Sequence, residues 1–183
     1  VRELLRTALR GLAALHEMSI VHRDIKPENL VLSEAGEVVV TDFGLAKRLA
    51  TGELCSDVVG TAGYMSPEVL RREAYSYAAD VWSLGVLLLQ LHSAGRPPPP
   101  ELERGEGLPE AWPPPEWEGG GAPDAPMVAL LRAMLGPAPA PMHARADDAA
   151  DAAEEGSEEL ELGPGTTATL KGLSGSTTYY IKV

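Results

Sequence analysis

One segment limits the possible folds more than any other. Residues 81–91, Val-Trp-Ser-Leu-Gly-Val-Leu-Leu-Leu-Gln-Leu, are apolar on nearly every side. Because such a helix has no face that suits water, it has to be buried in a core. The segment is too short to cross a bilayer, which takes about 20 residues. The sequence therefore predicts a buried helix, with Asp80 directly before it as the N-cap.

Two other segments have the periodicity of amphipathic helices. In residues 1–18 the apolar side chains recur at steps of three and four, and residues 127–135 repeat the pattern over a shorter length. Short β-branched runs occur between the helical segments. The predicted fold class is therefore mainly α-helical with short β-hairpins.

Charge and proline divide the chain into regions. Of the net charge of −12, residues 1–100 contribute only −2, whereas residues 101–183 hold 5 basic and 15 acidic side chains. Thirteen of the 16 prolines lie in residues 97–141. We therefore expect a folded domain over residues 1–145, an acidic linker over residues 146–165 and a β-hairpin over residues 166–183.

Composition also excludes several classes of protein. The acidic balance argues against a nucleic-acid partner, which would need clustered positive charge. No segment reads as membrane-spanning. A single cysteine, Cys55, cannot build a disulfide framework and indicates a reducing compartment, so we predict a cytoplasmic, intracellular location.

A β-hairpin is predicted where two β-branched runs flank a turn at Ser33–Gly36. In the register that this turn implies, Leu32 faces Glu37 and Asn29 faces Val40. The end of this hairpin is where the candidate chemistry lies.

Four polar residues converge on that end of the hairpin. Asp42 lies two residues beyond the position opposite Asn29, roughly 7 Å along the strand, and an even step puts both on one face. Two oxygen ligands with room for water and phosphate suit Mg²⁺. Asp24 and Lys26 lie just upstream. A carboxylate, a lysine and a metal-binding pair form a constellation typical of phosphoryl transfer.

Three motifs in this region resemble those of the protein kinase family. His22-Arg-Asp-Ile-Lys-Pro-Glu-Asn29 resembles the catalytic loop, and Asp42-Phe-Gly44 resembles the metal-binding motif. Gly60-Thr-Ala-Gly-Tyr-Met-Ser-Pro-Glu68 resembles the end of the activation segment, with Ser66 where alanine is usual. Their order and spacing match the family's signature set. The resemblance implies that residues 1–145 form part of a kinase catalytic domain, namely its large C-terminal lobe.

The resemblance also implies a catalytic set and a cofactor set. Asp24 would accept the proton of the substrate hydroxyl, Lys26 would contact the γ-phosphate of ATP, and Thr61 would steady both. Residues implied to lie at the ATP and Mg²⁺ site are Lys26, Glu28, Asn29, Val31 and Asp42. Of these, Asn29 and Asp42 would hold the metal. Lys26, two positions after Asp24, is typical of the serine/threonine branch.

Structural roles are implied for His22, Phe43, Gly44, Glu68 and Asp80. His22 and Phe43 match two members of the family's hydrophobic spine, and Asp80 matches a residue that binds the backbone of the catalytic loop. Glu68 matches a residue that pairs with an arginine of a later Asp-Pro-x-x-Arg motif. Residues 138–142 read Ala-Pro-Ala-Pro-Met instead, so its partner here is either absent or Arg145.

Regulation is implied by Arg23, which marks the subtype that is switched on by phosphorylation of the activation segment. In many relatives the phosphorylated residue lies three positions before the glycine equivalent to Gly60, where this chain has Asp57. Two hypotheses stay open. Asp57 partly imitates a phosphate and pairs with Arg23, or Ser56, with Thr51 as the second choice, is the phosphorylated residue.

Substrates of such an enzyme are proteins, and Glu28 resembles a position that favours basic residues near the target. A kinase also needs a small lobe with a glycine-rich loop and a lysine, and these 183 residues contain no lysine before Lys26. We therefore expect this chain to turn over little ATP by itself. The alternatives are a non-catalytic kinase-like scaffold, or pseudokinase, and a truncated gene product.

The last residues carry a second, weaker resemblance. Residues 173–183 resemble the corner between two strands of a fibronectin type III module, with Tyr179 as the corner tyrosine. The alternative is an incidental threonine-rich hairpin.

Overall fold

The computed structural model describes residues 2–93, 98–110, 112–113, 123–136, 157–161 and 167–171. In these residues the helices are α1 (Arg2–Glu17), α2 (Pro67–Leu70), α3 (Ala78–His92), α4 (Pro100–Glu103) and α5 (Ala125–Met134). The strands are β1 (Ile20–Val21), β2 (Leu30–Leu32), β3 (Val38–Val40), β4 (Lys47–Arg48), β5 (Ser157–Glu161) and β6 (Thr167–Lys171). A single 3₁₀ turn covers Pro27–Asn29.

Helix α3 lies at the centre of the main core, and it is buried continuously from Ala79 to Leu89. Helix α1 packs its apolar face into the same core, and α5 contributes Leu130, Leu131 and Met134. The predicted buried helix and both amphipathic helices are therefore confirmed. None of the described helices is both long enough and apolar enough to span a membrane.

Asp80 does not cap α3, so that prediction is wrong. The helix begins at Ala78 with Tyr77 as its N-cap, and Asp80 lies inside the first turn. Its side chain is fully buried and accepts hydrogen bonds from outside the helix instead. A charged acceptor makes stronger hydrogen bonds than a neutral one. Because the carboxylate of Asp80 already accepts from the His22 and Arg23 amides, it does not cap its own helix.

The hairpin forms between β2 and β3, but its predicted register is wrong by one residue. Leu30 pairs with Val40 and Leu32 with Val38. The loop has three residues instead of four, because the Ser33 amide donates to the Glu37 carbonyl at 2.9 Å and so continues the ladder. A three-residue loop of this type ends on a residue with positive φ, and Gly36 has a φ of +78°.

The corrected register changes the argument for the metal pair. The Thr41 amide donates to the Asn29 carbonyl at 2.9 Å, so Thr41 lies opposite Asn29 and Asp42 is one step further, not an even step. Asp42 also has a φ of +60°, which is left-handed. Strand alternation therefore does not set the direction of the Asp42 side chain, and the expectation of a shared face on that ground is wrong.

A smaller core holds residues 45–61, which make up most of the predicted activation segment, against the rest of the domain. Strand β1 pairs antiparallel with β4, and behind this pair Val21, Leu49 and Cys55 pack with Val69 and Tyr75. The two short strands bring the chain before residue 22 next to the chain after Gly44. This arrangement positions the predicted catalytic loop (residues 22–29) beside that segment.

The C-terminal part contains a hairpin that differs from the predicted one. Strand β5, inside the predicted acidic linker 146–165, pairs antiparallel with β6. Residues 172–183, with the fibronectin-like features and Tyr179, lie outside the described residues. So do residues 138–142 and Arg145, and the predicted domain boundaries stay predictions.

Candidate active site

The predicted catalytic loop is fixed to the central helix through Asp80. One carboxylate oxygen of Asp80 accepts a hydrogen bond from the His22 amide at 2.8 Å, and the other accepts one from the Arg23 amide at 2.8 Å. The His16 ring, from the end of α1, contacts the same carboxylate at 2.9 Å. Because α3 is buried, the start of the loop has a rigid support.

His22 links three parts of the site through its buried ring. Its Nδ1 accepts a hydrogen bond from the Asp24 amide at 3.3 Å, and its Nε2 lies 3.0 Å from the Thr41 carbonyl oxygen. This pattern fits a neutral ring that carries its proton on Nε2. Phe43 meets the ring edge-on, with 5.3 Å between centroids. The predicted spine residues His22 and Phe43 are thus in contact.

Asp24 is the centre of a cluster of hydrogen bonds. The Thr61 hydroxyl donates to its Oδ1 at 2.6 Å, and Lys26 Nζ lies 2.8 Å from its Oδ2. Lys26 also donates to the Thr61 hydroxyl at 2.8 Å, and Asn29 Nδ2 donates to Asp24 Oδ2 at 3.1 Å. Four residues that the sequence assigned to one site are therefore together.

These contacts keep Asp24 ionised. Burial by itself raises the pKa of the Asp24 carboxyl, but hydrogen bonds from Lys26 and Thr61 and the charge of Lys26 outweigh it and lower the pKa below its usual range. In turn, the hydrogen bond to Asp24 raises the pKa of Lys26. At neutral pH the site therefore holds a carboxylate acceptor and an ammonium donor side by side.

Thr61 reaches Asp24 because Gly60 has no side chain. Gly60 has a φ of +117°, and a Cβ there would lie 2.6 Å from the Arg23 carbonyl oxygen. Real Cβ atoms keep at least 3.0 Å from such neighbours. Only glycine lets the activation segment cross the catalytic loop at this distance, and the crossing places the next residue, Thr61, on the catalytic carboxylate.

Asn29 and Asp42 offer oxygen atoms that suit Mg²⁺. Asn29 Nδ2 donates to the Asp24 carbonyl at 2.8 Å, and no described residue donates a hydrogen bond to its Oδ1. Asp42 is exposed, and one of its oxygens accepts from the Gly44 amide at 3.2 Å. Within the described ranges, no three His, Cys, Asp or Glu side chains could together hold a metal. A partial set of hard oxygens fits Mg²⁺, which keeps waters and phosphate oxygens as further ligands.

The other residues predicted at the ATP site lie on the surface around this cluster. Val31, on β2, is 49% exposed and lies opposite Val39, which is also exposed. Together they present an exposed apolar pair on the hairpin. Glu28 is exposed in the 3₁₀ turn, two residues after Lys26.

Arg23 and Asp57 form the ion pair that the first of the two hypotheses predicts. Arg23 Nη1 lies 3.1 Å from Asp57 Oδ2, and its Nε donates to the Leu45 carbonyl at 2.6 Å. The Arg23 side chain is 11% exposed and that of Asp57 is 61% exposed. Ser56, the residue of the second hypothesis, is exposed.

Glu68 is half-buried, and no described residue forms a hydrogen bond or an ion pair with its carboxylate. Its predicted partner region lies outside the described residues. Ser66 is buried, and its hydroxyl has no hydrogen-bond partner in the part of the chain that the structure describes.

Sequence reasoning missed three residues that support the site: His16, Gly60 and Tyr75. His16 carried a signal, because it falls four residues after Leu12 on the apolar face of α1 and a polar residue on that face needs a partner. Tyr75 gave none, since its contacts with Cys55 and Asp57 depend on the tertiary structure.

Comparison with known proteins identifies the family of this chain. A family model described as the protein kinase domain matches residues 1–106, more than half of the chain. The chain therefore belongs to the protein kinase family.

Several proteins that are similar to this chain carry the names of kinases. The chain is 54% identical over 82 residues to serine/threonine-protein kinase PEPKR2 of Arabidopsis thaliana, covering 45% of this chain and 17% of that protein. It is 46% identical over 103 residues to mitogen-activated protein kinase kinase 1 of Arabidopsis thaliana, covering 55% and 29%. It is 43% identical over 98 residues to serine/threonine-protein kinase max-2 of Caenorhabditis elegans, covering 54% and 15%. The chain thus spans less than a third of these relatives.

Proposed function

We propose that this chain is the catalytic part of a serine/threonine protein kinase, which transfers the γ-phosphoryl group of ATP to serine or threonine hydroxyls of proteins. The observation that carries the proposal is the cluster in which Lys26, Thr61 and Asn29 all contact the Asp24 carboxylate. Support also comes from the family and from the names of its relatives.

In this proposal Asp24 is the acceptor for the substrate proton. Its low pKa keeps it ionised, so it can accept a hydrogen bond from the substrate hydroxyl in place of one of its present donors. The hydroxyl oxygen bonds to the γ-phosphorus, the bond from that phosphorus to the bridging oxygen breaks, and ADP leaves. The proton goes to Asp24, and Lys26 neutralises charge on the phosphoryl oxygens.

Asn29 and Asp42 would hold Mg²⁺ in the same proposal. When bound, the ion neutralises phosphate charge and orients the γ-phosphoryl group. Asn29 is well suited, since its amide nitrogen is fixed on Asp24 while its oxygen is available. Val31 would contact the adenine ring. The proposal also includes an intracellular location for the protein.

Phosphate transfer from labelled ATP tests the proposed activity. The full protein is incubated with Mg²⁺ and peptides that contain serine, threonine or tyrosine as the only hydroxyl. We expect label on the serine and threonine peptides and little on the tyrosine peptide, because Lys26 and Thr61 occupy the catalytic cleft beside Asp24. No label on any peptide, with ATP still bound, would favour the alternative of a kinase-like scaffold.

Substrate selection is a finer part of the proposal. Glu28 is exposed beside Lys26 and would attract basic residues near the target hydroxyl. A peptide library should therefore show a preference for arginine in the wild-type protein, and Glu28→Gln, which keeps the size and removes the charge, should reduce it. Identical profiles for the two proteins would refute this role.

The 183 residues by themselves are expected to transfer little phosphate, because they contain no lysine before Lys26 and no glycine-rich loop of the family type. Adding the small lobe of a related kinase as a fusion should raise the rate. Equal, high rates with and without the fusion would contradict this expectation.

A further inference from the structure

The activation segment is held by contacts within the chain along much of its length. The Leu49 amide donates to the Ser19 carbonyl at 2.8 Å, which fixes the start of the segment. Cys55 and Tyr75 exchange two backbone hydrogen bonds, at 2.7 and 2.9 Å. The segment is therefore anchored on both sides of residues 50–54.

Tyr75 is the residue on which the second anchor depends. It is 4% exposed and packs in the smaller core with Val21, Leu49 and Val69. Its hydroxyl donates a hydrogen bond to the Asp57 carbonyl at 2.8 Å. The rigid ring thus holds its hydroxyl on the backbone of Asp57, one of the two residues that form the ion pair.

Arg23 requires an anion at this position. Its guanidinium is almost buried, and a buried charge without a counter-ion is strongly destabilising. The Asp57 carboxylate supplies that anion, while the Leu45 carbonyl accepts from the other side. Because Tyr75 fixes the Asp57 backbone, the carboxylate is held in reach of Arg23.

Lys47, a cation within the segment, is also paired. Its Nζ lies 3.0 Å from Glu53 Oε1, and Glu53 Oε2 accepts from the Ala50 amide at 2.9 Å. A phosphate on Ser56 would add a charge of about −1.5 to −2 next to Asp57, which already occupies Arg23. The pairing of Arg23 with Asp57 and of Lys47 with Glu53 therefore favours Asp57 over a phosphate as the anion at Arg23.

We propose that Tyr75 is a positioning residue that holds Asp57 on Arg23 and so fixes the activation segment over the catalytic loop without phosphorylation. The position of Asp57 affects Asp24 because the two are connected through the chain. Gly60, three residues after Asp57, lies against the backbone of Arg23, and the next residue, Thr61, donates a hydrogen bond to Asp24. Its catalytic consequence rests on the proposed kinase function, but the ordering of the segment does not.

Amide hydrogen exchange of the unphosphorylated full protein tests the ordering directly. Tyr75→Phe removes one hydroxyl and keeps the ring, so we expect exchange of residues 55–61 to rise roughly 2- to 10-fold, as the loss of one hydrogen bond allows. Tyr77→Phe is the matched control, because the Tyr77 hydroxyl makes no hydrogen bond to any residue the structure describes, and it should change nothing there. Equal exchange in wild type and Tyr75→Phe would overturn the proposal.

Charge variants of Asp57 separate the ion pair from general destabilisation. Asp57→Asn should raise exchange over the same residues, and Asp57→Glu should restore protection because it returns the charge. Equal exchange rates of residues 55–61 in Asp57→Asn and Asp57→Glu would show that the charge of the carboxylate does not hold the segment as proposed.

Phosphatase treatment supplies the functional readout. Phosphate transfer by the wild-type protein should be unchanged after treatment, whereas a large loss would show that a phosphate is required and would overturn the proposal. If no transfer is detected at all while the exchange pattern is as expected, the proposed kinase function fails and the positioning role of Tyr75 stands.

Discussion

Replacing Gly60 with alanine is predicted to damage the site in a way that the same change at Gly63 does not. Both glycines have positive φ, +117° at Gly60 and +88° at Gly63. A Cβ on Gly63 would meet nothing within 4 Å, whereas a Cβ on Gly60 would lie 2.6 Å from the Arg23 carbonyl oxygen. Both variants therefore carry backbone strain, and only Gly60→Ala adds a clash with backbone.

The expected magnitudes follow from this difference. Left-handed backbone costs an L-residue roughly 1–2 kcal/mol, so Gly63→Ala should lower the free energy of unfolding by about that amount. Gly60→Ala adds an overpacking cost of roughly 1–3 kcal/mol, because its Cβ has to move by several tenths of an ångström against backbone. We expect Gly60→Ala to be the more destabilising by about 1–3 kcal/mol.

Urea unfolding measures the free energies, and a titration of the Asp24 carboxyl by NMR reports on the site. Movement of residue 60 carries Thr61 away from Asp24, so Gly60→Ala should raise the pKa of Asp24, and Gly63→Ala should not. Equal losses of stability in the two variants, or an unchanged Asp24 pKa in Gly60→Ala, would refute the reasoning.

Three further predictions concern the same loop. Asp80→Asn should lower the free energy of unfolding by about 1–3 kcal/mol in urea titrations, because an amide cannot accept from all three donors that meet this buried carboxylate and leaves one of them without an acceptor; an unchanged free energy of unfolding would contradict this. Thr61→Val should raise the pKa of Asp24 in an NMR titration, since it removes a hydrogen bond that lowers it; no change would count against the cluster. Because the pKa of Asp24 is lower in the folded state, its contribution to stability is complete above about pH 4, near its unfolded pKa, and is lost as the pH falls through the folded value. The difference in unfolding free energy between wild type and Asp24→Asn should thus be constant from pH 5 to 7 and shrink in more acidic solution; a constant difference down to pH 2 would be inconsistent.

Local patterns were enough to predict the helices and the polar residues that cluster around Asp24. The apolar run at residues 81–91 requires burial whatever surrounds it, and the periodicity of residues 1–18 identifies one buried face. The motifs around Asp24 and Asp42 name the polar residues because their chemistry depends on residue type and order. Each of these patterns spans residues that are close together in the sequence, so it can be recognised without knowledge of the tertiary structure.

Features that depend on geometry could not be predicted in the same way. The register of β2 and β3 depends on a single hydrogen bond, from the Ser33 amide to the Glu37 carbonyl. Residue types alone do not show whether this bond forms. The contacts of Tyr75 with Cys55 and Asp57 join residues that are distant in sequence. Such contacts depend on how the helices pack, so periodicity and motifs gave no information on them.

The most direct test of the catalytic claim is the turnover number of Asp24→Asn in the full protein, with ATP affinity measured in parallel. Because Asp24 would act on the substrate proton, kcat should fall by about 10²- to 10⁴-fold while the dissociation constant for Mg²⁺-ATP changes little. An unchanged kcat would contradict the account that the cluster around Asp24 is the site of phosphoryl transfer.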